Sequence, residues 1–162
     1  MIRGTSLLVL GLFVLFGLGC GSTKPDLDMV YRHSADVFPQ DAEVVFSWIK
    51  HRGPVESFSA STDPTGYAGV IDKNATSLAK AMAAAQTGPI NLVVAGSDPA
   101  KTAATVVVAS NMQPEPLPRL HLLFIGIPEH EAFVREAVTN TDARFTFRTD
   151  PGPNDRSSDD EE

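Results

Sequence analysis

Cysteine is all but missing from this chain of 162 residues: Cys20 stands alone. One thiol makes no intrachain disulfide and no cysteine-based metal cluster, so an apolar core must hold any folded part. Roughly 110 residues between the termini are enough chain to build such a core, as one domain. Basic residues are also scarce, 13 against 20 acidic ones, for a net charge of −7. Phosphate backbones are gripped by clustered Lys and Arg, and anionic lipid headgroups by polybasic segments. The balance here speaks against nucleic acid and against a basic membrane patch, and leaves room for a basic protein partner. Long apolar runs are lacking too. The run Leu7–Leu18 is twelve residues, which as a helix spans about 18 Å against a bilayer core of about 30 Å.

What is present begins with that run. Arg3 and the amino terminus give a short positive start, twelve apolar residues follow, and small residues come next, the order of a secretory signal. Leu18-Gly19-Cys20-Gly21 resembles the lipobox of bacterial lipoproteins. The resemblance covers the signal and Cys20 only, with Gly17 where the family commonly has Leu and Leu18 where it commonly has a small residue. It implies a signal peptide over residues 1–19, a diacylglyceryl group on the Cys20 thiol, cleavage that leaves Cys20 first, and acylation of its amine. Gly21 in place of Asp after the cysteine resembles lipoproteins sent to the outer membrane. The implied address is the cell envelope, lipid-anchored and facing the periplasm. Two or more acyl chains anchor stably where one is marginal.

Beyond the tether, apolar residues set the expected elements. Leu27, Val30, Tyr31, Ser34 and Val37 have helical spacing within Asp26–Phe38, which Pro39 ends. Residues 41–52 fit either a helix capped by Asp41 or a strand through Val44, Val45, Phe46 and Trp48. Val55–Ala60 reads as a strand, followed by the turn-rich Ser61–Gly66. Thr76–Gln86 is an Ala-rich helix ended by Gly88-Pro89, and Ile90–Ala95 is an apolar run of strand length. Gly96-Ser97-Asp98-Pro99 opens a helix, with Ser97 or Asp98 as cap and Pro99 in its first turn. Arg119–Ile125 is a strand, Pro128–Thr139 a helix, and Arg144–Arg148 a last strand. Strands alternating with helices predict βαβ units, and continuous apolar strands suit a sheet covered on both faces. The expected fold is α/β: a small, mainly parallel sheet with alternating helices, a Rossmann- or flavodoxin-like sandwich over residues 41–149. A tether and possible helix at 20–40 precede it. Residues 150–162 carry six carboxylates against Arg156 and predict a disordered acidic tail.

Chemistry-bearing patterns are thin. Ala95 to Thr102 has the spacing of a phosphate-binding P-loop, but Ala95 and Ala100 replace both glycines and Pro99 removes an amide. A weaker form remains: helix starts attract anions, and right-handed crossovers bring Gly96, Ser97, Asp98 and Gly126 to one sheet edge, with Lys101 one turn into the helix. These five residues are the candidate ligand-binding set. Ser97 lacks the second glycine of a nucleophile elbow. His33, His51, His121 and His130 have no partner at metal-ligand spacing, so no catalytic residue, metal or cofactor is expected. Asn74-Ala75-Thr76 matches a glycosylation sequon. The expected function is a membrane-anchored envelope lipoprotein whose domain binds a protein without catalysis, as part of envelope or secretion machinery or in toxin immunity. The alternative is a periplasmic binder of small anions, or an enzyme, using the edge near Gly96 and Gly126.

Overall fold

Short apolar runs rich in Val, Ile, Leu and Phe alternate with Ala-rich segments, and in space they become strands and helices in strict alternation. The computed structural model describes residues 27–50 and 73–150. The elements are α1 (Leu27–Val37), β1 (Val44–Ile49), α2 (Lys73–Ala83), β2 (Ile90–Gly96), α3 (Pro99–Asn111), β3 (Leu120–Gly126), α4 (Glu131–Thr139) and β4 (Arg144–Thr149). Single 3-10 turns extend α2 at Ala84–Gln86 and lead into α4 at Pro128–His130. The expected signal, Cys20, the strand at Val55–Ala60, His51 and the tail beyond Asp150 lie outside the described residues.

The four strands form one sheet in the order β1-β2-β3-β4, and every neighbouring pair is parallel. The protein is therefore α/β, a small parallel sheet alternating with helices. Its strands advance one place at a time in one direction. Doubly wound sheets instead reverse direction partway and open a ligand crevice at the reversal; among the described strands there is no such reversal.

Single-direction winding with crossovers of one hand puts all the connecting helices on one face. Alternate residues of each strand point that way. Ile49, Leu92, Val94, Leu120, Leu122, Phe124 and Phe145 face Leu78 and Met82 of α2, Ala103, Val106 and Ala109 of α3, and Val134 and Val138 of α4. Each fully buried side chain of this size contributes about 1.5–3 kcal/mol. Helix α3 sits between α2 and α4 and is buried nearly all round. Ala103, Ala104 and Ala109 let its neighbours approach closely. Its buried Thr102 and Thr105 hydroxyls donate to the carbonyls of Asp98 at 2.6 Å and Lys101 at 2.8 Å, so neither is left unsatisfied.

Among the described residues, the element on the opposite face is α1. Met29, Val30 and Phe38 pack on Val93 and Ala95 of β2 and Leu123 and Ile125 of β3, with Phe46 and Trp48 of β1 partly buried beside them. Helix α1 thus belongs to the same folded unit as the sheet. The segment that reads equally as helix or strand becomes β1, because tertiary pairing decides: Val44 to Ile49 register against Asn91 to Gly96. Ala42 N donates to Pro39 O at 3.0 Å, forming the turn before it. The Asn91 amide donates to Glu43 O at 3.2 Å and holds the strand's start.

Candidate functional site

Strands β2 and β3 are adjacent and parallel, so Gly96 to Asp98 and Gly126 do meet at one edge of the sheet. Their local bonds show what that edge is built for. The Ser97 amide donates to Ile49 O at 3.1 Å, tying the loop to β1. Asp98 is the cap of α3, its carboxylate accepting from the Lys101 amide at 3.0 Å, which satisfies one of the orphan donors of a helix start. Pro99 has no amide to offer. The Lys101 ammonium lies 3.7 Å from the same carboxylate. An anion approaching this helix start meets a carboxylate already in place.

Both glycines serve packing. A β-carbon on Gly96 would lie 2.7 Å from Ile49 O and would collide with the Thr102 hydroxyl. One on Gly126 would sit 2.7 Å from the Phe124 ring. The Gly126 carbonyl accepts from the Asp150 amide at 2.8 Å.

The described histidines are dispersed. Nε2 of His121 is 2.9 Å from the Thr146 hydroxyl, with the Phe38 ring edge-on at 4.9 Å between centroids. Burial, together with Arg144, lowers its pKa below the ordinary 6.5. His33 on α1 is lowered by burial, Arg148 and Arg32, and is raised less by Asp36 and Asp150. The His130 ring packs against Phe133 at 5.4 Å. Among the described residues no group of three or more His, Cys, Asp or Glu is placed to hold a metal ion. Asn74 of the sequon opens α2 and donates to Lys50 O at 3.3 Å.

A second region lies where α1 meets the outer strand. Between them runs a groove of about 390 Å³, lined along the helix by Leu27, Tyr31, Ser34 and Phe38 and along the strand by Val44 and Phe46. Among the described residues, no element besides α1 covers the β1 side of this face. On this side Tyr31 is 70% exposed, Leu27 48% and Val44 36%, a concentration of large apolar side chains near one edge of the fold. Nearby, the Trp48 indole N–H is buried and finds no acceptor among the described residues.

Sequence reasoning missed this groove. The helical stripe from Leu27 to Val37 was legible, but the groove exists only if Val44 to Ile49 is an outer strand. Position in the sheet is not a local property of those six residues.

Comparison with protein-family models, with curated proteins and with solved structures finds no match to this chain.

Proposed function

We propose that the chain is a lipid-anchored protein of the bacterial envelope whose α/β domain binds another protein and does no chemistry of its own. The observation that carries the binding role is the open apolar groove between α1 and β1. Natural surfaces place contiguous apolar patches where partners sit. Anchoring is supported by Cys20 and the signal before it. Among the described residues no helix is long and apolar enough to cross a membrane, which a lipid anchor does not require. Outer-membrane sorting is favoured by Gly21 after the cysteine. Envelope or secretion machinery and toxin immunity are the two settings such a domain suits. The small-anion alternative at Gly96, Ser97, Asp98, Lys101 and Gly126 is less well supported. There the Ser97 amide and the Asp98 carboxylate are already committed to the fold.

The test is affinity purification of the full chain, tagged at its C-terminus, from detergent-solubilised host membranes, with Cys20→Ala and Tyr31→Glu at matched expression. A stoichiometric partner retained by wild type and lost by Tyr31→Glu is the expected result. Cys20→Ala is expected to leave the membrane fraction and to lack the acyl mass. Lipidated protein recovered alone at several salt concentrations would overturn the binding role. Membrane fractionation of Cys20→Ala unchanged from wild type would overturn the anchor.

A further inference from the structure

Strand β1 is an outer strand of the sheet, and among the described residues no element lies beyond it. Outer strands present unpaired N–H and C=O groups, and natural proteins blunt them with charged side chains, proline, bulges or a covering element. Val44-Val45-Phe46-Ser47-Trp48-Ile49 has no charge, no proline and no glycine, and its register with β2 runs without a bulge. The groove lies directly beside it on the α1 face, so a chain paired with β1 would place alternate side chains against Phe46 and Tyr31. Charge narrows the occupant. Asp28 flanks Leu27 at one end of the groove, and Asp41 and Glu43 flank Ala42 and Val44 at the other. All three are exposed, and the ion pairs among the described residues involve none of them. Arg32, exposed beside Tyr31 and one turn from Asp28 on α1, and Lys50, directly after β1, offset Asp28 at its end, so the acidic end is the one at Asp41 and Glu43.

From the outer strand, the groove and this acidic end, we infer that β1 recruits an extended segment of its protein partner by strand addition, the segment having apolar residues at alternate positions and basic residues at the end that meets Asp41 and Glu43. This rests on the binding role proposed above and specifies its mode. Main-chain hydrogen bonds supply affinity in such complexes, and pockets for alternate side chains supply specificity.

Trp48, the single tryptophan of the chain, lies in β1 with its ring centroid 6.4 Å from that of Phe46 and reports occupancy of the edge. The full-length lipidated protein in detergent is titrated with a tryptophan-free synthetic peptide of alternating Val and Thr between paired lysines. Two control peptides carry paired glutamates at the ends or N-methyl groups on every amide of the Val-Thr run. The lysine peptide is expected to change Trp48 emission saturably. The glutamate peptide should bind at least about tenfold more weakly at low salt, with the gap closing as salt screens the acidic end. The N-methyl peptide should not bind, since it cannot pair with the strand. Tyr31→Ala, an exposed change that leaves the core intact, should weaken the lysine peptide.

A flat emission, or equal binding by the N-methyl peptide, overturns the proposal. So do two chains per particle by sedimentation that revert to one in Val44→Lys, which would assign the edge to a second copy. A stoichiometric partner from the affinity experiment whose crosslinks fall away from Tyr31 and Val44 would overturn strand addition while leaving the binding role standing.

Discussion

The two faces of the sheet are made from the same strands, residue by alternate residue, yet they close differently. On one, α2, α3 and α4 lie side by side and bury Leu92, Val94, Leu122 and Phe124 completely. On the other, α1 is the one described helix that covers Val93, Ala95, Leu123 and Ile125. Among the described residues, what α1 leaves uncovered is apolar toward β1, where the groove lies, and polar toward β4, where Arg144, Thr146 and Arg148 alternate with Phe145 and Phe147. The reason is topological. A sheet wound in one direction receives its crossover helices on one side, and among the described residues the other side is covered by the helix that precedes the first strand. Where a helix arrives as a crossover, its packing is enforced from both ends by neighbouring strands. Among the described residues, helix α1 joins the sheet through the turn into β1, and the groove is on its side.

The largest expected effect tests that contrast directly. Leu122→Ala, under the three helices, should destabilise toward the upper end of the range of about 2–5 kcal/mol for such truncations, and Met29→Ala, under α1, toward the lower end. The lone helix can shift to fill the space, and α3 cannot. Urea unfolding of both variants measures it, and equal losses would show that the faces differ in coverage but not in energy.

A smaller effect is expected at the seam between β1, β2 and α3. Gly96→Ala must displace the Ile49 carbonyl or the Thr102 hydroxyl, and should lower stability by about 1–3 kcal/mol. Thermal melts of this variant, with and without phosphate, separate a packing role from ligand binding. Saturable stabilisation of wild type by phosphate, lost on substitution, would return the candidate set at this edge to the lead.

The smallest concerns pH, and it belongs to the α1 face alone. His33 and His121 both lie there with pKa values lowered in the folded protein. The unfolded chain therefore takes up protons first as pH falls below the ordinary 6.5. The stability these imidazoles hold when neutral is complete above that value and is lost as pH falls through their lowered folded values. A His33→Gln, His121→Gln protein should lose less melting temperature than wild type on going from about pH 7.5 to about pH 5. An identical loss in the two proteins would remove the histidines from the account.

Legibility in the sequence followed locality. Helix α3 was readable because Asp98, Pro99 and the Ala-rich stretch carry their signals within a few residues, and the cap is where those signals put it. Strands β2 and β3 were readable because continuous apolar runs of that length suit burial on both faces. The segment at residues 41–52 was not, since Phe46, Trp48 and Ile49 satisfy helical and extended spacing alike, and only pairing with β2 separates them. The candidate edge was half legible. Parallel strands do bring Gly96 and Gly126 together, but that the Ser97 amide is committed to Ile49, 48 residues away in the chain, has no local signature.

By itself, then, the sequence determined the alternation of strands and helices, the start of α3, the absence of cysteine chemistry beyond Cys20 and the lipobox resemblance around it. Each of these depends on residue type and near-neighbour spacing. Only the tertiary structure decided that the described strands run in single file, that β1 lies at their edge and that α1 packs on the face opposite the other helices. Those outcomes depend on which distant segments pair, and pairing is won by the burial of whole faces rather than by the preference of any one segment.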